Sequence, residues 1–417
     1  MRDTELYAQI LGFTAPWRVT SVRMESAENR IWIEINYDPD ASTPCPKCSK
    51  AVKRHDHRKR EWRHLDTCQL ETRLVADVPR TSCPVHGVLT MQVPWAGGSS
   101  RFTALFEALV IDWLREASIS AVSRLLRLSW QEVDGIMRRA VRRGLARRQL
   151  KAPRRMGVDE TSFQKRHEYV TVVTNLDKST VLSVADDRRA ESLMKFYRSL
   201  TPAQRRRIAV VAMDMHEPYI KATRESLSNA DSKIAFDKFH VAKHLGDAVD
   251  QVRRWEHRAL MSDGDWTLKG SKHLWLQNPN NMRDEMWSSA FAILRQMNLK
   301  TARAWRMKEA AMWIWTYRQR GRIEAAWSRW LGWAKRSRLD PIKKVANTIK
   351  NHLSGVVNAI VSGATNAVAE SVNARIQRVK RMACGFRSRE RFKNAIYFHL
   401  GGLDLYPASA GITHTNH

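Results

Sequence analysis

Three acids, Asp159, Asp214 and Glu370, and two short pairs, Cys45-Pro-Lys-Cys48 and Cys83-Pro-Val-His86, have the residue types and spacing that suit chemistry. Carboxylates gathered at one point hold hard divalent cations such as Mg²⁺ or Mn²⁺, which prefer oxygen ligands. Two such ions about 4 Å apart can hold a phosphodiester, activate the attacking oxygen and neutralise the leaving one. Pairs of soft ligands separated by two residues suit a structural Zn²⁺, because each pair occupies one tight turn and the strands between set the distance. With Pro after the first Cys of both pairs, Cys45, Cys48, Cys83 and His86 predict one tetrahedral site of the zinc-ribbon kind. His55, His57 and His64 lie between the pairs and are alternative fourth ligands, or face phosphate or water in their basic loop. Cys68 and Cys384 read as packing residues.

The N-terminal elements are legible from their periods. Arg18 to Tyr37 alternates apolar and polar residues around a Glu-Asn turn, which predicts a hairpin, and Gln69 to Val78 is strand-like. From Phe102 the period becomes helical: Thr103 to Arg115, Ser120 to Leu126 and Trp130 to Gly144, with Ser118 and Ser129 where N-caps belong. Three helices with a short last turn suggest a helix-turn-helix, whose last helix enters the major groove. Between Ser118 and Arg155 there are eleven Arg and Lys against two acids. Arg138, Arg139, Arg142 and Arg143 are therefore the expected DNA contacts of the third helix, the plain alternative being a solvated basic face. Lys151 to Arg155 reads as a linker.

Next comes the segment that must carry the acids. Arg154 to Phe163 predicts a strand bearing Asp159, and Tyr169 to Asn175 with Thr180 to Ala185 a hairpin. Ile208 to Met213 is a continuous apolar run, as in a buried parallel strand, and delivers Asp214 at its end. With the helices between, the order β-β-β-α-β-α-β is that of a ribonuclease-H-like fold, whose first and fourth strands are neighbours, so Asp159 and Asp214 can face each other. Asn366, Glu370 and Asn373 form a polar stripe on the helix from Thr365 to Arg378, among Ala367, Val368, Val372 and Ile376. Glu370 is the expected third carboxylate. Glu160 should point to the opposite strand face. Glu217, Asp237, His240 and Asn373 are candidates for supporting roles, His240 alternatively as a helix cap.

Asp214 and Glu370 are 156 residues apart, too far for the small core, which predicts an all-α insertion. The expected organisation is multidomain α+β: 1–100 strands and zinc ribbon, 101–150 helix-turn-helix, 151–245 first part of an α/β catalytic core, 246–340 the insertion, 341–417 the rest of the core with a basic tail. Ten of the sixteen Trp fall in the insertion, most reading as its core and some as platforms for unpaired bases. Arg375 to Lys393 carries eight basic residues against one acid, so Arg375, Arg378, Lys380 and Arg381 would bind phosphates beside the acids, unless they are a solvated face.

Composition agrees. The 417 residues carry a formal net charge of +29 and are 43% hydrophobic, so the chain folds yet needs an acidic partner, nucleic acid before membrane. Acidic residues in Met1 to Ile10 argue against a secretory signal, and Leu353 to Ala369 is too polar for lipid. Five cysteines argue against a disulfide framework. A cytoplasmic, nucleoid-associated protein is expected.

Gly157-Val-Asp-Glu-Thr-Ser-Phe163, Met213-Asp-Met215, Asp237-Lys-Phe-His240, Thr365-Asn-Ala-Val-Ala-Glu-Ser-Val-Asn373 and Lys380-Arg-Met-Ala-Cys-Gly-Phe386 resemble the ISL3 family of bacterial insertion-sequence transposases, as do the N-terminal Cys pairs. The resemblance covers almost the whole chain, with the motifs in the family's order. It departs at Ser371, where glycine is expected, and at His86 in place of a fourth Cys. The resemblance implies a DDE triad of Asp159, Asp214 and Glu370, two Mg²⁺ or Mn²⁺ per active site and one structural Zn²⁺. It implies binding of double-stranded DNA, both terminal inverted repeats and target, then strand cleavage and transfer by a homodimer or larger assembly. The rival expectation is a catalytically inactive or domesticated DNA-binding regulator.

Overall fold

The computed structural model describes residues 2–164, 168–277, 285–363 and 367–408. They divide into two compact units, the described parts of Met1–Arg148 with Leu403–His417, and Gln149–Gly402.

The first unit opens with helix α1 (Asp3–Ile10) and strands β1 (Trp17–Glu25), β2 (Arg30–Tyr37), β3 (Thr43–Pro44), β4 (Ala51–Arg63), β5 (Glu71–Cys83) and β6 (Gly87–Thr90). The expected hairpin is β1–β2, turned by Ser26–Glu28 and by Asn29 in the left-handed region. The sheet order is β1-β2-β5-β4-β3, with β6 on the far half of β5. Alternate residues of β2 and β5, Ile31, Ile33, Ile35, Leu74, Ala76 and Val78, are buried, as the period-2 pattern requires. They pack with Trp17, Trp62 and Trp95, whose rings meet edge to face at 4.8 and 5.4 Å.

Helices α2 (Ala104–Glu116), α3 (Ile119–Leu126) and α4 (Trp130–Arg147) follow. Thr103, Ser118 and Ser129 each cap a helix by accepting the backbone N–H of Phe106, Ala121 and Glu132. Arg127, in the left-handed region, ends α3, and three residues separate it from α4. The described residues from Leu403 to 408, expected with the core, belong to this unit instead. Arg143 donates to Leu405 O at 2.8 and 3.0 Å, Arg147 to Tyr406 O at 2.6 Å, and Tyr406 Oη to Asp112 at 2.5 Å.

The second unit has strands β7 (Arg155–Gln164), β8 (Glu168–Asn175), β9 (Thr180–Ala185), β10 (Val210–Met213) and β11 (Ile234–Phe236), ordered β11-β10-β7-β8-β9. Strands β7, β8 and β9 are antiparallel neighbours, whereas β10 runs parallel to both β7 and β11. Helices α5 (Ala190–Arg198), α6 (Pro202–Arg207), α7 (Glu217–Ser226) and α8 (Ala230–Lys233) connect the strands. Met156, Val158, Val211 and Met213 pack on one face of the sheet with Tyr197, Tyr219 and Ile220.

After β11 come α9 (Lys238–Ser262), α10 (Lys272–Leu276), α11 (Glu285–Leu294), α12 (Lys300–Trp313), α13 (Arg320–Arg336), α14 (Asp340–Asn351) and α15 (Leu353–Ser362). The boundary expected at residue 246 falls inside α9, one unbroken helix of 25 residues. These helices share one apolar core with the sheet: Trp275, Trp305, Trp327 and Trp330 belong to the same buried cluster as Met156 and Val211. Helix α15 lies against β11 closely enough that a Cβ at Gly355 would overlap the Phe236 ring. Helices α16 (Ala367–Met382) and α17 (Arg389–Leu400) cover the other sheet face, with Val372, Ile376, Phe392 and Ile396 on Phe163, Val170 and Val172.

Candidate active site and metal centre

Val210 lies opposite Arg155 and Ala212 opposite Gly157 in the parallel β7–β10 pair. Carried on two residues, that register sets Asp214 beside Asp159, both on the face that α16 covers. Asp159 accepts the Glu160 N–H at 2.7 Å on Oδ1 and the Asn373 amide at 2.5 Å on Oδ2. Burial raises its pKa to about 6; the Asp214 charge adds to the rise, while the Glu160 N–H and His240 oppose it. Asp214 Oδ1 is buried with no hydrogen-bond partner. A carboxylate in that state beside another calls for positive charge. The all-oxygen donors suit a hard divalent cation, so the residues fit such an ion.

Helix α16 follows β7 in the same direction, because its polar residues bond successive strand positions. Asn373 meets Asp159, Gln377 Nε2 donates to Thr161 Oγ1 at 2.9 Å, and Lys380 Nζ donates to Ser162 O at 2.9 Å. Glu370 is exposed on this helix, one turn before Asn373. Among the described residues no three carboxylates gather within 4.8 Å, so Glu370 does not close on the aspartates here. Asn366 lies outside the described residues. Glu160, on the other strand face as expected, is 3.8 Å from Arg188 Nη1. Glu217 is exposed, 3.7 Å from His352.

Asp237 follows β11 and is buried, with Oδ2 unpartnered. His240 and His244, one turn apart on α9, both act electrostatically on the acids, His240 on Asp159 and His244 with Asp214. Burial and the His240 charge lower the His244 pKa. Tyr219 shares a 2.8 Å hydrogen bond with Thr171, and burial raises its phenol together with the charges of Glu160, Asp214 and Asp159. Sequence reasoning missed Gln377, His244 and Tyr219. Gln377 was within reach, being four residues after Asn373 on the same stripe.

In the first unit, the ligand atoms of Cys45, Cys48, Cys83 and His86 all lie within 4.8 Å of one another. Cys48 Sγ and Cys83 Sγ are 3.9 Å apart, and His86 Nδ1 is 3.5 Å from Cys83 Sγ and 3.7 Å from Cys45 Sγ. Tetrahedral Zn²⁺ with ordinary bond lengths requires edges of about 3.8 Å between sulfurs and about 3.6 Å from sulfur to nitrogen. The two turns match in backbone as well: Ser49 and Gly87, each directly after the second ligand, have φ of 58° and 70°. The N–H groups of Lys47 and Cys48 lower the Cys45 thiol to about 6, which favours the thiolate that metal needs. Of the alternative ligands, His55 and His57 lie along β4, and His64 is buried elsewhere.

His64 Nδ1 lies 2.9 Å from Thr103 Oγ1, the cap of α2, and burial followed by the Arg63 charge lowers its pKa to about 4. A histidine kept neutral when folded and titrating near 6.5 when unfolded contributes stability above that value. The contribution falls away as the pH drops from 6.5 towards 4, by about 3 kcal/mol in all. His64→Gln should abolish this component, so the stability difference between native protein and variant, from urea unfolding, changes by about that amount between about pH 7 and pH 4. A difference constant with pH would show that His64 protonates as easily folded as unfolded.

The predicted DNA-contact arginines divide. Arg139 donates to Glu107 at 2.7 and 2.9 Å, and Arg143 reaches Glu107 as well as Leu405 O, so both are tied to a buried carboxylate. Lys380 is tied to Ser162 O. Arg138 and Arg142 are exposed on α4, and Arg375, Arg378 and Arg381 are exposed on α16. Among the described residues no helix is long and apolar enough to cross a membrane.

Residues 156–396 match the ISL3-type DDE family profile described as "Transposase". Residues 91–141 match "Helix-turn-helix domain of transposase family ISL3", and residues 41–86 match "zinc-finger of transposase IS204/IS1001/IS1096/IS1165". The chain is 27% identical over 419 residues to "Transposase for insertion sequence element IS1557" of Mycobacterium tuberculosis, covering 93% of each chain. It is 26% identical over 373 residues to "Transposase for insertion sequence element IS1001" of Bordetella parapertussis, covering 88% of this chain and 89% of the other.

Proposed function

Because the chain belongs to the ISL3 family of transposases, we propose that it binds the terminal inverted repeats of its own insertion sequence, cuts DNA there and joins the freed ends to a target. One observation carries this reading: the parallel register of β7 and β10, which pairs Asp159 with Asp214 beneath α16. The sheet order β11-β10-β7-β8-β9 supports a ribonuclease-H-like core, into which α9 to α15 are inserted between β11 and the helix of Glu370.

Asp159, Asp214 and Glu370 are the proposed holders of two Mg²⁺ or Mn²⁺ ions. When bound, these ions supply the charge that activates water and stabilises the leaving oxygen at a phosphodiester. The chain's own residues set the geometry. Asn373 and the Glu160 N–H fix the Asp159 carboxylate, and Lys380 and Gln377 fix the helix that presents Glu370. Water attacks phosphorus and the strand leaves as a 3′-hydroxyl; that hydroxyl then attacks a second strand in line, displacing its 3′ oxygen, with no covalent protein intermediate.

Sequence reading falls to the zinc ribbon and to α4, with Arg138 and Arg142 towards the groove. Arg375, Arg378 and Arg381 contact phosphates beside the cut, fixing position more than sequence. Two ends must be joined, so two or more copies assemble on DNA. The site of action is the bacterial cytoplasm, at the nucleoid.

Incubating the protein with its flanking DNA and Mg²⁺, beside a Glu370→Gln control, tests the reading. Discrete 3′ ends at the inverted repeats and joined products, both absent from the control, are expected. Tight repeat binding with no cutting by the native protein would favour the DNA-binding regulator instead.

A further inference from the structure

A further carboxylate stands in line with the aspartate pair. Strands β10 and β11 pair in parallel with Val211 opposite Ile234 and Met213 opposite Phe236. The next step of that register sets Asp237 opposite Asp214, and the Asp237 N–H still donates to Met213 O at 3.3 Å. Asp237 keeps extended backbone (φ −62°, ψ 135°), so its side chain shares the sheet face of Ala235 and of its partner Asp214. Asp159 within β7, and Asp214 and Asp237 directly after β10 and β11, therefore stand side by side across three adjacent parallel strands.

The ordinary reason for an aspartate at this position does not apply. Asp237 is the N-cap of α9, where its carboxylate would normally accept a backbone N–H of the first turn, yet it makes no such bond. It is 4% exposed and its Oδ2 has no hydrogen-bond partner, a state shared only by Oδ1 among the carboxylate oxygens of Asp214. Asp159, by contrast, accepts a hydrogen bond on each oxygen. An ionised carboxylate buried without a donor is costly, and two on adjacent strand ends cost more, unless a cation lies between them.

We propose that Asp237 is a divalent-cation ligand, holding one ion jointly with Asp214 at the ends of β10 and β11. This rests on the reading of the core as a metal-dependent active site and extends it by a fourth carboxylate. The site is built before DNA arrives, since both aspartates come from the sheet and neither depends on Glu370.

The test uses the full-length, zinc-loaded protein without DNA. Mn²⁺ binding is followed by the electron paramagnetic resonance signal of the free ion, for native protein, Asp237→Asn and Asp214→Asn. Both variants should bind Mn²⁺ at least about tenfold more weakly. Thermal unfolding provides a second readout. In buffer freed of Mg²⁺ and Mn²⁺ without a chelator, Asp237→Asn should melt above the native protein, because the variant lacks the unpaired buried charge; with excess Mg²⁺ the native protein should gain stability and the variant should not. A merely structural Asp237 would lower the melting temperature with or without Mg²⁺. If Asp214→Asn weakens Mn²⁺ binding and Asp237→Asn does not, the inference is overturned and the catalytic reading stands. If neither variant weakens it, the metal-dependent core itself is wrong. A zinc-loaded Asp237→Asn protein that fails to fold without Mg²⁺ or Mn²⁺ also overturns the inference, since the fold would then need that carboxylate with no cation bound to it.

Discussion

Asp214→Asn is expected to lower strand cutting on the order of a thousandfold, about 4 kcal/mol of barrier, while leaving repeat binding within about twofold. The substitution is close to a pure charge removal. Asp214 Oδ1 has no hydrogen-bond donor to lose, and the amide has the shape of the carboxylate. Removing the like charge also relaxes Asp159, whose pKa of about 6 is raised first by burial and then by Asp214. Folding should therefore be unharmed, and the loss should appear in chemistry alone. Asp159→Asn is a less clean experiment, because its amide would face the Asn373 amide now 2.5 Å from Asp159 Oδ2. Glu160→Gln is the matched control, since that carboxylate belongs to the other sheet face and to Arg188; its cutting rate should stay within about threefold of native. The measurement is end-mapping on repeat DNA with Mg²⁺, paired with a gel-shift titration of the same variants. An Asp214→Asn protein that cuts as the native one does would remove Asp214 from the active site.

The sites that were legible in sequence are those where one element presents a residue at its own end. The apolar run Ile208 to Met213 had to be a buried strand, so Asp214 had to emerge from it, and pairs of ligands with two intervening residues could occupy only tight turns. Contacts between distant elements were not legible. Arg139 and Arg143 look like free cations on a basic helix until Glu107, 32 and 36 residues earlier, is seen beneath them. Leu403 to Tyr406 carries no periodicity that assigns it to α4 in place of the core. The line of Asp159, Asp214 and Asp237 depends on two strand registers, one of them set by the three residues of β11, too short a segment to show a pattern. The tryptophans show the same limit. A helical period places Trp327 and Trp330 on one face, but not on the core they share with the sheet, and it does not separate them from Trp313, which is 67% exposed.

Zinc removal, by chelation or by Cys48→Ser, is expected to disorder residues 43–54 and 81–90 and to weaken repeat binding at least about tenfold. Coordination of a structural zinc is worth on the order of 10 kcal/mol in small zinc modules, more than the short pairings of β3 and β6 can replace. The remaining sheet has its own core, with Trp62, Ile33, Ile35 and Leu74 fully buried, so β1, β2 and the near halves of β4 and β5 should persist. The Trp17, Trp62 and Trp95 cluster therefore keeps its near-ultraviolet dichroism while amide exchange accelerates in the two knuckles. DNA affinity falls because Lys47, Lys50 and Lys53, all exposed on or beside the first knuckle, lose their fixed positions and with them the release of counterions from phosphate. His86→Cys separates coordination from residue identity: a thiolate can take the same corner, so zinc and binding should both survive. Hydrogen-exchange mass spectrometry and gel shifts on the zinc-free protein decide the matter. Unchanged protection at Cys45 to Lys53 after chelation would mean that the knuckles stand without metal, and that four ligand atoms within 4.8 Å is only the geometry of two folded turns.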